Sequence, residues 1–216
     1  MNKRHALVLG ATGATGQELV RLLLDDTNYD KVSIFVRRKV DLEHTKLNIN
    51  VIDFSKLNEY KDLVKGDVLF SALGTTLKDA GSKDSQYLVD YTYQYEFAKM
   101  ASNNGVSTYS LVSSLGANEN TPFSYPKIKG KLEESVKQLD FKTIQIFQPP
   151  SLIRQPELMR SGEKVSVKLF QKLNNIGMLK SLKPMPVTIL ASKMISESNT
   201  ARTDRITIYK PVDIFN

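Results

Sequence analysis

The sequence predicts an α/β fold: a doubly wound parallel sheet with helices on both faces and a small C-terminal extension on the substrate side. Three observations lead there. Short apolar runs alternate with longer stretches whose apolar residues recur at helical spacing, the pattern that βα units leave in a chain. The first apolar run ends in three glycines within seven residues and is followed by an amphipathic segment. The 216 residues hold no repeat of about 20–50 residues and no low-complexity linker, so a single domain over residues 1–216 is expected, with a core at 1–148 and the extension at 149–216.

The elements follow in order. His5-Ala-Leu-Val-Leu-Gly10 is the first strand, and residues 17–25 form a helix with Leu19, Val20, Leu22, Leu23 and Leu24 on a broad apolar stripe. Val32–Val36 is a second strand ending in Arg37-Arg38, and Asn50–Asp53 a third, followed by a helix over 56–64. Asp67–Leu73 is a fourth strand and ends at Gly74-Thr75-Thr76. Residues 85–104 have helical period and close on Asn103-Asn104-Gly105, a C-cap signal. A strand at 108–113, a helix at about 126–139 and a strand at 143–147 complete six βα-type repeats. The rhythm breaks at Pro149-Pro150, after which helices are expected near 163–174 and 188–198 and a short strand at 205–209.

Composition excludes several functions. There is no cysteine, which removes disulfides, thiolate zinc sites and a cysteine nucleophile. The two histidines, His5 and His44, have no partner in sequence, so no metal site and no histidine triad is expected. No apolar run approaches the roughly 18 residues needed to span a bilayer, and the N-terminus lacks a secretory pattern, so a cytoplasmic protein without membrane insertion is expected. Of the net charge of +7, little lies in residues 1–150, with 19 Lys+Arg against 18 Asp+Glu; residues 151–216 carry 11 against 5. Lys164, Lys168, Lys172 and Lys180 are spread along one helix-like stretch and the loop after it rather than clustered, so a solvated face is expected rather than a nucleic-acid surface, with an anionic ligand as the competing reading.

The spacing Gly10-x-x-Gly13-x-x-Gly16 differs by one residue from the G-x-G-x-x-G dinucleotide fingerprint, and its chemistry is similar. The first glycine permits the tight turn, the second lets the backbone approach a pyrophosphate, and the third allows close helix packing with the helix N-terminus facing the anion. Thr12 and Thr15 can add hydroxyl donors. About 20 residues on, where an NAD site offers a carboxylate to the ribose, this chain has Arg37 and Arg38, whose planar cationic forks suit the 2′-phosphate of NADP(H). The competing reading is a pair of solvated loop arginines.

With no histidine to hand, proton transfer falls to tyrosine, lysine or a carboxylate. Tyr125 and Lys129 are four residues apart, so on the helix that Pro126 is suited to start they share one face. A nearby ammonium favours phenolate, and such a tyrosine can exchange a proton with a carbonyl oxygen as hydride arrives at the carbon. Ser114, or its neighbour Ser113, would hold that oxygen. Tyr95 and Lys99 repeat the spacing but have no serine-rich strand end before them, and they read as structural.

Gly10–Gly16, Arg37-Arg38, Val51–Phe54, Leu73–Thr76, Ser113–Ala117 and Tyr125–Gly130 together resemble an atypical short-chain dehydrogenase/reductase, and within that superfamily the Tat-interacting-protein-like NADPH-binding oxidoreductases. The likeness continues weakly through Phe147–Pro150 to Arg160–Glu163, with Gln148-Pro149-Pro150 standing where the family pattern is closer to Arg-Pro-Gly. The resemblance implies a Rossmann fold, with NADP(H) held by Gly10, Thr12, Gly13, Ala14, Thr15, Gly16, Arg37, Arg38, Asp53, Leu73, Gly74, Thr75, Leu152 and Arg160. Tyr125, Lys129 and Ser114 would be the catalytic residues. The function expected is an NADPH-dependent oxidoreductase acting on a small carbonyl or alcohol. Its rival is an NADPH-sensing protein that meets a protein partner without turnover.

Overall fold

A computed structural model describes residues 3–153 and 183–216. Seven parallel strands form the main sheet: β1 (Arg4–Leu9), β2 (Tyr29–Val36), β3 (Leu47–Val51), β4 (Val68–Ser71), β5 (Thr108–Val112), β6 (Thr143–Phe147) and β9 (Ile206–Tyr209). Their order is β3-β2-β1-β4-β5-β6-β9. The chain winds outward from β1 in one direction and from β4 in the other, so a crevice opens beyond their carboxyl ends.

The sheet is buried on both faces, which is why its strands read as near-continuous apolar runs. Side chains alternate along each strand: Ala6 and Val8 enter one core layer, and Leu7 and Leu9 the other. The first layer is covered by α1 (Ala14–Asp25) and α6 (Val187–Asn199). The second is covered by α4 (Tyr93–Asn103), α5 (Ser124–Lys137) and a 3₁₀ segment, Phe54–Leu63. Helices α2 (Leu77–Ala80) and α3 (Lys83–Tyr87) precede α4, and α7 (Pro211–Phe215) ends the chain.

Most expected elements form, with corrections that have physical causes. The third strand runs over Leu47–Val51 rather than 50–53, because its register against β2 pairs Val32 with Leu47 and Val36 with Val51. Asp53 has then left the strand and caps the next segment. That segment is 3₁₀ and kinked at Lys56 rather than α-helical; only Phe54 and Leu57 of it are buried, too few to support an amphipathic helix. The long helix expected over 85–104 begins at Lys83 and contains a π-type turn, Leu88–Thr92, before α4. It ends on Gly105 at φ +81°, as the C-cap signal implied. Helix α5 starts at Ser124, so Tyr125 already lies in its first turn. The final strand, expected at 205–209, joins the sheet parallel to β6 as Ile206–Tyr209.

A small parallel pair that the sequence did not reveal, β7 (Leu152–Ile153) with β8 (Met185–Pro186), lies beside the carboxyl edge. The helix expected at 163–174 and the four lysines Lys164, Lys168, Lys172 and Lys180 lie outside the described residues. Across the π-type turn, Tyr87, Tyr91 and Tyr95 stack in a column, with ring centroids 4.9 and 5.9 Å apart. Tyr91 also hydrogen-bonds Ser135 of α5 at 2.9 Å.

Candidate active site

The turn after β1 is shaped by two contacts that only glycine tolerates. Gly10 has φ +85°, and a Cβ there would lie 2.5 Å from the Leu73 amide nitrogen at the end of β4. A Cβ on Gly16 would lie 2.0 Å from the Gly10 carbonyl, so α1 starts tight against the turn. The Gly13 amide donates to that carbonyl at 3.0 Å, and Gly13 caps α1 without a side-chain acceptor that would compete with an anion. Ala14 and Thr15 follow in the first turn of α1, and Thr12 is exposed beside them. Arg37 and Arg38 are exposed immediately after β2, the strand next to β1.

Beyond the carboxyl ends of β1, β4 and β5 lies a cleft of about 950 Å³. The turn lines it with Gly13, Ala14 and Thr15, the loop after β4 with Leu73, Gly74 and Thr75, and β7 with Leu152. Ser113, Ser114, Tyr125 and Lys129 line the same space, so the structure brings these catalytic candidates together with Gly13, Ala14, Thr15, Leu73, Gly74, Thr75 and Leu152, whereas Gly10, Thr12, Gly16, Arg37 and Arg38 are not among the lining residues. Asp53 is not among the lining residues. Its Oδ1 accepts from the Ser55 hydroxyl at 2.7 Å and the Ser55 amide at 2.9 Å, and these bonds hold its carboxyl below the usual carboxylate range. Arg160 lies outside the described residues.

Lys129 sits one turn after Tyr125 on α5, its Nζ 6.0 Å from the tyrosine ring centroid. Tyr125 is 40% exposed, whereas Lys129 is only 2% exposed. Burying an ammonium is costly unless it is compensated. The compensation is Asp90 in the π-type turn, 0% exposed, with Oδ1 3.7 Å from Lys129 Nζ and accepting from the Thr75 amide at 3.2 Å. Burial pushes the Asp90 carboxyl up, while Lys129, the Thr75 amide and Gln86 pull it the other way.

The two strand-end serines part company. Ser113 is buried, and its hydroxyl donates to Glu133 Oε1, one turn past Lys129 on α5. Gln148 donates to both Glu133 oxygens at 2.8 and 2.9 Å, and Lys210 donates in turn to Gln148 Oε1. Two side chains thus give three hydrogen bonds to a carboxylate that the sheet and α5 enclose. Ser114 is half-buried at the cleft, and its hydroxyl donates to the Leu115 carbonyl at 3.1 Å.

Sequence reasoning missed Asp90, Glu133 and Lys210. The signal for the first two was present: Asp90 falls on the stripe that continues through Gln94, Phe97, Ala98 and Ala101, and Glu133 on the stripe of Ile128, Leu132 and Val136. An acid on an otherwise buried helix face needs a partner. Lys210 leaves no such trace, because it reaches Gln148 only once β9 has joined the sheet.

The residues fit a dinucleotide. Gly13 lines the cleft without a side chain, helix α1 presents its positive end, and the volume lies within the roughly 300–1,000 Å³ of small-molecule sites. Among the described residues no cluster of His, Asp or Glu could hold a metal ion, and no helix is long and apolar enough to cross a membrane.

Comparison with known proteins agrees. The profile of a family described as NAD(P)H-binding matches residues 10–142. Protein HTATIP2 from Rattus norvegicus is 35% identical over 177 residues, covering 80% of this chain and 73% of that protein. Protein FMP52-1, mitochondrial, from Scheffersomyces stipitis is 35% identical over 192 residues, covering 87% and 80%. In fold, the chain resembles the Bordetella bronchiseptica enzyme WbmH, solved in complex with NAD+, at TM-score 0.73 and 15% identity, over 97% of this chain and 75% of that one. It likewise resembles a UDP-N-acetylglucosamine 4-epimerase from Methanobrevibacter ruminantium M1, at TM-score 0.71 and 16% identity, over 97% and 77%.

The cytoplasmic expectation is corrected by these relatives: FMP52 proteins from Scheffersomyces stipitis, Debaryomyces hansenii and Saccharomyces cerevisiae are named mitochondrial. The lack of a bilayer-spanning run, on which that expectation rested, separates membrane-spanning chains from others but carries no compartment address. With the strand–glycine-turn–helix opening, the seven-stranded parallel sheet and these relatives together, the chain belongs to the NAD(P)H-binding family, alongside the Tat-interacting-protein-like HTATIP2.

Proposed function

We propose that the protein is an NADPH-dependent oxidoreductase acting on a small carbonyl or alcohol. The observation that carries this reading is the placement of Tyr125 and the buried Lys129 on one turn of α5, in the same cleft as the glycine turn. The reduced nicotinamide, when bound, supplies hydride. Tyr125 gives a proton from its hydroxyl to the substrate oxygen and takes it back in the reverse direction. Lys129 supports the phenolate through its ammonium and holds the nicotinamide ribose. Ser114 positions the substrate oxygen, a role favoured over Ser113 because the Ser113 hydroxyl is committed to Glu133.

Gly10, Gly13 and Gly16 with Thr12, Ala14 and Thr15 would cradle the pyrophosphate, and Leu73, Gly74, Thr75 and Leu152 would line the nicotinamide half. Arg37 and Arg38 would take the 2′-phosphate. Asp53 and Arg160 are given cofactor contacts by family resemblance alone.

Two measurements test this. In Tyr125→Phe, NADPH oxidation by carbonyl compounds is expected to vanish while NADPH affinity stays within about twofold; full activity in that variant removes the acid/base assignment. In the unmodified protein NADPH is expected to bind more tightly than NADH, and Arg37→Ala/Arg38→Ala to lose about tenfold or more in NADPH affinity alone, since each charge-assisted bond is worth about 1.5–3 kcal/mol. Equal affinity for both cofactors in the unmodified protein refutes the preference. A protein that binds NADPH, oxidises it with no carbonyl compound and changes its affinity for a captured protein would be a sensor instead.

A further inference from the structure

The proposed chemistry leaves one buried ionisable group unused. Asp90 is 0% exposed, yet it touches elements on two sides of the cleft. Its Oδ1 faces Lys129 Nζ at 3.7 Å on α5 and accepts from the Thr75 amide at 3.2 Å in the loop after β4. A Cβ on the adjoining Gly74 would lie 3.2 Å from that same oxygen, so the loop is seated directly on the carboxylate. Oδ2 has no hydrogen-bond partner.

The backbone around Asp90 is fixed as well. Its carbonyl accepts from Gln94 Nε2 at 2.9 Å, and Gln94 Oε1 accepts from Ser71 at the end of β4, also at 2.9 Å. The π-type turn inserts one extra residue into the helix here, a distortion that costs regular helical bonding and recurs at functional sites. A carboxylate that is wholly buried, half-satisfied and built into a distorted turn is a poor way to stabilise a fold.

We propose that Asp90 is a positioning residue: one carboxylate holds both the Lys129 ammonium and the Leu73-Gly74-Thr75 loop, so the loop and the reactive turn of α5 are set relative to each other. The proposal rests on the role given above to Lys129, and it assigns Asp90 no contact with substrate or cofactor. Among the described residues the charged group facing Asp90 is Lys129; the Thr75 amide and Gln86 from α3 are its neutral donors. Tyr125, on the cleft side of Lys129, is the titratable group next in line.

The test does not need turnover. In protein carrying lysine labelled with ¹³C at Cε, the Lys129 resonance is assigned by its loss in Lys129→Met and titrated by NMR. Asp90→Asn keeps the volume and a carbonyl acceptor but removes the anion, so the Lys129 midpoint is expected to move to lower pH by about one unit or more, a tenfold change in its protonation equilibrium. An unmoved midpoint overturns the proposal. Fluorescence titration with NADPH tests the loop: Asp90→Ala, which also removes the acceptor of the Thr75 amide, is expected to bind NADPH at least about fivefold more weakly than Asp90→Asn, and equal affinities overturn this half.

If Asp90→Asn alone does not fold, Asp90→Asn/Lys129→Met is compared with Lys129→Met. Recovery of thermal stability in the double variant supports the pairing, and further loss refutes it. Should the unmodified protein oxidise no NADPH at all, the enzymatic reading fails while the Lys129 titration still reports on Asp90.

Discussion

Tyr125 with Lys129 and Tyr95 with Lys99 have the same spacing on two neighbouring helices, and their surroundings differ throughout. Lys129 lies on the buried face of α5 between Ile128 and Leu132, against Asp90 and open to the cleft. Lys99 is exposed, and Tyr95 is half-buried in the tyrosine column against Tyr91. Four-residue spacing guarantees a shared face and nothing more. What separates the pairs is which face that is, and whether an acid waits beneath it at the carboxyl edge of the sheet.

The largest expected break between them is in turnover. Tyr125→Phe should lower kcat/KM for NADPH-dependent carbonyl reduction by about 10²–10⁴, and Tyr95→Phe by less than about twofold. Steady-state NADPH oxidation decides it, and equal losses would erase the distinction.

Stability should divide the lysines next. Lys129→Met leaves Asp90 as a buried carboxylate without its cation and is expected to cost about 3–5 kcal/mol, whereas Lys99→Met should stay within about 0.5 kcal/mol. Urea denaturation measures both.

A finer contrast lies in the adjacent serines. Ser113→Ala takes one of three hydrogen bonds from Glu133 and should cost about 1–3 kcal/mol in stability, while Ser114→Ala should be nearly neutral in stability and lower turnover. Identical stability losses would dissolve the difference.

The smallest effect is a pH slope. Folding raises the Asp90 carboxyl above its unfolded value, so in that window the folded state holds a proton that the unfolded state has released. The Asp90 contribution therefore favours the folded protein at low pH and falls away as pH rises from the ordinary carboxylate range through the raised value. Asp90→Asn should lack this decline in a series of urea midpoints from about pH 4 to neutrality, and parallel curves for the two proteins would contradict it.

Local signals account for what the sequence disclosed. Gly10, Gly13 and Gly16 follow an apolar strand and open a helix, and Ser113-Ser114 end a strand shortly before Tyr125; each feature is contained in a dozen residues. The registers were less visible. Leu47 joins β3 because β2 offers it a partner, and Lys56 interrupts its segment because too few residues there find a core. The supports were hidden for a related reason. Asp90 and Thr75 lie 15 positions apart, and Gln148 and Lys210 62 apart; only the closed fold sets them within hydrogen-bond reach.

The stacked column of Tyr87, Tyr91 and Tyr95 has a spectroscopic consequence. The chain has nine tyrosines and no tryptophan, so its ultraviolet emission is tyrosine emission alone. Closely stacked rings pass excitation along the column, and the same helical run carries Asp90 against the cleft wall. Reduced nicotinamide absorbs where tyrosine emits, so a cofactor seated beside Lys129 would dim the protein's own light and return it at longer wavelength. Occupancy of the cleft then becomes a colour change, read without any attached probe.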